Sequence, residues 1–124
     1  MTPKISSAEW EVMLVVWSKE PILGGEVYAG LPAGHGWKQK TVNTFLARLV
    51  EKGVLAVDKK ERAHVYRSRV AREKCIQAES DSFLQRVFQG AAGELVLHFC
   101  ENADLKPEEI RELEQLLKAR RTGK

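Results

Sequence analysis

Apolar side chains recur along this chain with two different periods, and the changes of period mark its elements. Ser6-x-x-Glu9 forms a capping-box pattern, and Trp10, Met13, Leu14 and Trp17 follow at the i, i+3, i+4, i+7 spacing of an amphipathic helix, predicted from about Ser7 to Lys19. Pro21 ends it. The stretch from Gly24 to Leu31 carries Val27, Ala29 and Leu31 and predicts a short second helix, stopped by Pro32 and Gly34-His35-Gly36. From Lys38 the period is helical again, with Val42, Phe45, Leu46 and Leu49 as an apolar stripe and Gly53 where a left-handed C-cap belongs. Beyond Gly53 the period falls to two. Leu55 and Val57 alternate with Ala56 and Asp58, and Ala63-His64-Val65-Tyr66-Arg67 alternates again after Lys59-Lys60-Glu61-Arg62, which predicts a β-hairpin with a charged tip. Helical spacing returns from Ala71 to Gln89, and Gly90 and Gly93 bracket a break. A shorter helix follows from Glu94 to about Glu101, and Pro107 opens a last one with Ile110, Leu113, Leu116 and Leu117 along one seam.

Three helices followed by a two-stranded hairpin is the winged helix-turn-helix plan, whose third helix enters the major groove of DNA. The expected fold is therefore mostly α with a small β-hairpin: a winged helix-turn-helix DNA-binding head over residues 1–70 and a C-terminal helical dimerisation region over residues 71–124. A chain of 124 residues has little room for a second independent core. Yet Phe83, Leu84, Val87, Phe88, Leu95, Phe99, Ile110, Leu113 and Leu117 make the second region too apolar for a solvated appendage. Packing back onto the head is one outlet, but a homodimer is the favoured one, because two heads joined by a two-fold axis read a two-fold operator.

Charge sharpens the picture through its distribution. The net charge is only +3, but residues 38–70 hold nine Lys and Arg against three Asp and Glu, a balance of +6, while residues 1–37 stand at −2 and residues 71–124 at −1. Opposite the apolar stripe of the third helix lie Lys40, Asn43, Thr44, Ala47, Arg48 and Glu51. Asn pairs bidentately with adenine, Arg with guanine, and Thr offers a hydroxyl to base or phosphate. Lys59, Lys60 and Arg62 at the hairpin tip, Arg67 and Arg69 behind it, and Lys38 at the start of the helix suit phosphate contacts. An ordinary solvated helix, or an edge hairpin guarded by charge, would carry similar residues. Their adjacency in one head favours DNA. The competing function is a protein-interaction module on a winged-helix scaffold without DNA binding, whose third helix would carry exposed aromatics or leucines.

Other chemistry finds little footing. Trp10 and Trp17 share the stripe of the first helix and belong to the core, and Trp37 anchors the start of the third helix. His98 and Cys100 are two apart on a helix and face different ways, so no metal site is expected; Cys75 on an apolar face behaves as a small hydrophobe. No phosphate-cradling glycine loop and no nucleophile with an evident base is present, so neither an enzyme nor a cofactor is expected. The start Met1-Thr2-Pro3-Lys4 leads into no apolar signal core, and no run nears the roughly eighteen apolar residues of a membrane span. The expected location is cytoplasmic, with no membrane partner.

The motifs themselves resemble a known family. Ile5-Ser6-Ser7-Ala8-Glu9-Trp10-Glu11-Val12-Met13, then Trp37 with Lys40-Thr41-Val42-x-Thr44-x-Leu46-x-Arg48-Leu49-Val50-x-Lys52-Gly53, then Arg62-Ala63-His64-Val65-Tyr66, are similar to the BlaI/MecI penicillinase repressors and the related CopY copper repressors. The likeness continues through Ser82-Phe83-Leu84 to Glu108-Glu109-Ile110. It implies a homodimeric repressor of a dyad-symmetric operator, with a β-lactam-resistance gene as the target. It also implies that Thr41, Asn43, Thr44 and Arg48 lie on the recognition helix, with Arg62 in the wing. In antibiotic-responsive members of such a family, a sensor-linked protease cuts the tail between Asn and Phe, and the aligned pair here is His98-Phe99. The copper branch ends in a cysteine-rich metal motif, whereas this chain ends Lys118-Ala119-Arg120-Arg121-Thr122-Gly123-Lys124. Two further departures concern the head: Lys38-Gln39 replaces a frequent Ser-Pro, and Glu61 replaces a common Gly at the wing turn.

Overall fold

The computed structural model describes residues 3–123 and divides into two compact units, one through Glu79 and one from Ser80 onward. The first unit begins with α1 (Ser7–Lys19), whose N-cap Ser6 accepts from the Glu9 amide at 3.2 Å while the Glu9 carboxylate accepts from the Ser6 amide at 2.9 Å. That reciprocal box satisfies two donors which the helix start would leave unpaired. Next come β1 (Ile22–Leu23), α2 (Gly24–Gly30), α3 (Gln39–Glu51), β2 (Leu55–Lys60) and β3 (Ala63–Ser68). The three strands form one antiparallel sheet in the order β1-β3-β2, with Val57 opposite Tyr66 and Lys59 opposite His64. The mostly helical winged-helix architecture is the one expected from the sequence.

The core of this unit is built from Val12, Met13 and Val16 of α1, Val27 of α2, Val42, Leu46 and Leu49 of α3, and Leu55 and Tyr66 of the sheet. Gly30 lets α2 lie close to α1, since a Cβ there would sit 2.8 Å from Val15 Cγ1. Gly53 at φ +81° ends α3 in a Schellman motif: the Val54 amide donates to the Leu49 carbonyl at 2.9 Å, and the Gly53 amide to Val50 at 3.0 Å. The turn delivers the chain directly into the hairpin.

Three expectations need correction. β1 was not foreseen, because two residues carry no period; pairing of Ile22 with Tyr66 and Leu23 with Val65 makes them a strand. Leu14 is 39% exposed, while Val12, Val15 and Val16 are buried. A run of five apolar residues from Val12 to Val16 fits several stripes, and the packing partners select among them. Gly93 lies inside a helix rather than bracketing a break. The first compact unit includes the start of α4 (Arg72–Phe88), since Cys75 is buried in the head core and Trp17 Nε1 donates to the Val70 carbonyl at 3.1 Å.

The second unit holds the end of α4, then α5 (Ala92–Asn102) and α6 (Pro107–Gly123). Gly90 at φ +85° makes the corner after α4, and its amide donates to the Leu84 carbonyl at 3.1 Å. Phe88 stands between Phe83 and His98, with ring centroids 6.1 and 6.2 Å away. Neither α5 nor α6 buries a single residue. Among the described residues, no helix is long and apolar enough to cross a membrane.

Candidate nucleic-acid interface

Between the exposed face of α3 and the hairpin lies an open groove of about 1070 Å³. Its helix side is formed by Gln39, Asn43, Thr44, Ala47, Arg48 and Glu51, and its hairpin side includes Val57, Lys59, Arg62, His64 and Tyr66. The helix presents these residues because Val42, Leu46 and Leu49 are drawn into the core on the other side. The hairpin presents Val57, Lys59, His64 and Tyr66 together because opposed residues of an antiparallel pair share a face. Glu61 and Arg62 form a two-residue tip in which neither takes a positive φ, so Glu replaces the frequent Gly without backbone strain.

The residues expected to meet DNA separate into two groups. Asn43, Thr44, Arg48 and Arg62 line the groove together. Lys38, Lys40, Thr41, Lys60 and Arg67 do not line it. Lys38 is the exposed N-cap of α3 and makes no side-chain cap bond, as expected where Lys replaces a capping Ser. Lys40 is exposed and Thr41 half-buried on the same helix. Lys60 and Arg67 fall on the opposite face of the hairpin from Lys59 and His64, since strand neighbours alternate sides. Lys59, expected at the charged hairpin tip, lines the groove, and counting by twos from Val57 assigns it that side of the strand. Gln39, His64 and Glu26 are polar groove residues that the sequence did not single out for the interface.

The cations of this groove are uncommitted. Among the described residues, the side chains of Arg48, Arg62 and Lys59 make no hydrogen bond or ion pair, although Glu51 and Glu61 are close in sequence. Thr44 Oγ1 donates to the Lys40 carbonyl at 3.2 Å, which leaves its acceptor lone pairs and methyl group outward. A strip of unpaired cations with hydroxyl and amide groups suits a polyanion carrying sequence information.

Supports outside the groove fix α3 in place. Lys52 pairs with the Glu9 carboxylate and also donates to the Lys4 carbonyl at 3.0 Å, tying the end of α3 to the start of α1. Burial pushes the Glu9 carboxyl up, but the Lys52 ammonium and the Ser6 amide and hydroxyl outweigh it and hold the group below its ordinary value. At the other end of α3, Tyr28 Oη donates to the Trp37 carbonyl at 3.0 Å, and the Trp37 and Phe45 rings meet edge-on at 5.2 Å. Glu20 accepts from both the amide and the hydroxyl of Ser68, at 2.6 and 2.8 Å, which anchors the hairpin base. Burial raises the Tyr66 phenol and the Cys75 thiol, so both are held neutral in the packed head.

The sequence pattern of the penicillinase repressor family matches residues 5–119. The penicillinase repressor of Bacillus licheniformis is 40% identical over 122 residues, covering 98% of this chain and 95% of that protein. The methicillin resistance regulatory protein MecI of Staphylococcus aureus is 34% identical over 116 residues, 94% of each chain. The solution structure of the BlaI DNA-binding domain matches 58% of this chain and 88% of its own at 39% identity, with a TM-score of 0.52. Monomeric Bacillus licheniformis BlaI in complex with the blaP half-operator matches 59% of this chain and 89% of its own at 38% identity, with a TM-score of 0.51. The Ser6-Glu9 box begins α1, the motif of residues 40–53 lies on α3 and its C-terminal turn, and that of residues 62–66 lies in the hairpin; the chain belongs to the penicillinase repressor family.

Proposed function

We propose that this chain is a transcriptional repressor that binds a dyad-symmetric operator as a homodimer and controls a β-lactam-resistance gene. The groove between α3 and the hairpin carries this reading, because it places unpaired Arg48, Arg62 and Lys59 beside the hydrogen-bonding face of one helix. Two relatives with matching heads, a BlaI DNA-binding domain and BlaI on its half-operator, support the assignment of DNA as the ligand. In this reading Arg48 and Thr44 read bases, and Asn43 lies on the same face of α3. Arg62 and Lys59 contact phosphates from the wing, and Lys38, Lys40 and Thr41 flank the helix. Lys60 and Arg67, on the far side of the hairpin, add field rather than direct contact.

The second unit supplies the pairing. Val87, Val96, Leu97, Phe99, Ile110, Leu116 and Leu117 are exposed in the single chain, with Leu97 at 65%. Phe83, Leu84, Phe88, Leu95 and Leu113 are only half-buried. A soluble monomer rarely leaves so much apolar surface open, and a second copy of the same helices covers it with self-complementary contacts. The peptide between His98 and Phe99 lies within α5 with both side chains exposed. A sensor-linked protease is the partner that this bond suits, and a cut there would sever α6 from the head. Cleavage needs α5 to open locally, which is easiest in the single chain, where α5 buries no residue, and is opposed by pairing that covers Phe99.

Selection from random duplexes with the purified chain tests the function. Enrichment of a site made of two inverted halves is expected; no enrichment would overturn the repressor assignment.

A further inference from the structure

The reading face of α3 carries one bond between two side chains among the described residues: Gln39 Nε2 donates to Asn43 Oδ1 at 2.9 Å. Both residues line the groove, and Gln39 is the first residue of the helix. The N-terminal residues of a recognition helix are the ones that contact base edges. We propose that Gln39 is a base-reading residue specific for adenine, with Asn43 as the residue that positions it; this rests on the chain being an operator-binding protein.

The chemistry of the amide supports the division of roles. Bidentate pairing with adenine uses the amide oxygen, which accepts from N6, and the N–H on the same side, which donates to N7. The second N–H points away from that edge and has no role in the pairing. Asn43, one turn along the helix, accepts from the same nitrogen, and the proposed pairing assigns that bond to the second N–H. The amide plane of Gln39 is thereby held before DNA arrives, so less rotamer freedom is lost on binding. Asn43, with one lone pair of Oδ1 already engaged, acts through Gln39 rather than as the adenine reader that its sequence position suggests. A proline at residue 39 would suit the helix start equally well but would have no edge to offer a base.

The test compares wild type with Q39A and Q39P in parallel selections from random duplexes, followed by titrations on the selected site with 7-deazaadenine placed at each adenine in turn. One adenine per half-site is expected to lose its enrichment in both variants. At that adenine, removing N7 weakens wild type about tenfold and leaves Q39A unaffected, as expected for loss of one bidentate pair. N43A weakens the same adenine preference without altering other positions, and the Q39A/N43A pair is no weaker there than Q39A alone. A wild type that selects no operator overturns the repressor reading and this inference with it. If wild type selects an operator and both Gln39 variants select the same bases at every position, the inference alone is overturned.

Discussion

The two units of this chain solve the burial problem differently. The head, through Glu79, closes its own core: Val12, Met13, Val16, Val27, Val42, Leu46 and Leu49 are fully shielded from water, and its two helix ends and hairpin base are pinned by side-chain bonds. The helices from Ser80 onward carry a comparable share of leucine, valine and phenylalanine yet bury none of it. A head that closes its own core and a helical tail that leaves its apolar faces open fit the proposed division of labour, in which one binds DNA and the other sets how many heads bind at once.

The largest test of that contrast removes the tail. A fragment ending at Glu79 should stay folded and run as a monomer in sedimentation, and its affinity for a two-fold operator should fall about 10²–10⁴-fold, the avidity lost when the second head is no longer tethered. A fragment that still sediments as a dimer would break the contrast outright. Substitutions sharpen it from each side. Leu46→Ala, in the head core, is expected to destabilise by about 2–5 kcal/mol in urea unfolding, whereas Leu97→Asp should leave head stability alone and raise the dimer dissociation constant at least about tenfold.

Within the head, effects shrink from base contact to support. Arg48→Ala should weaken operator binding by about 1–3 kcal/mol and relax one base position, read from titrations on single-base operator variants. Glu9 provides a pH handle. Its carboxyl is held below the ordinary value of 4.5 in the folded chain, so its stabilising contribution is complete above that value and disappears as pH falls through the lower folded value. Urea midpoints should therefore drop below about pH 4.5 more steeply in wild type than in Glu9→Gln. The smallest expected effect is at the wing, where Arg62→Ala should lower the salt slope of binding by about one.

Much of the head is legible from local signals. The Ser6-Glu9 box, the spacing of Val42, Leu46 and Leu49, and Gly53 each act within a turn or two of chain, and each reports its element directly. What sequence spacing missed is set by distant partners. Ile22 and Leu23 become a strand only against Tyr66 and Val65, and Cys75 joins the head only because the core reaches that far along α4. The candidate site shows the same division. Arg48 and Asn43 follow from helix geometry and the side taken by Lys59 from strand alternation, but the Gln39–Asn43 pairing depends on side-chain direction.

The central claim, that two heads are joined through the tail to read one operator, is tested most directly by the stoichiometry of the complex. Sedimentation velocity of the full chain with its selected duplex should show two chains per duplex, formed in a single step at concentrations where the free chain is already dimeric. One chain per duplex at saturation would contradict the account.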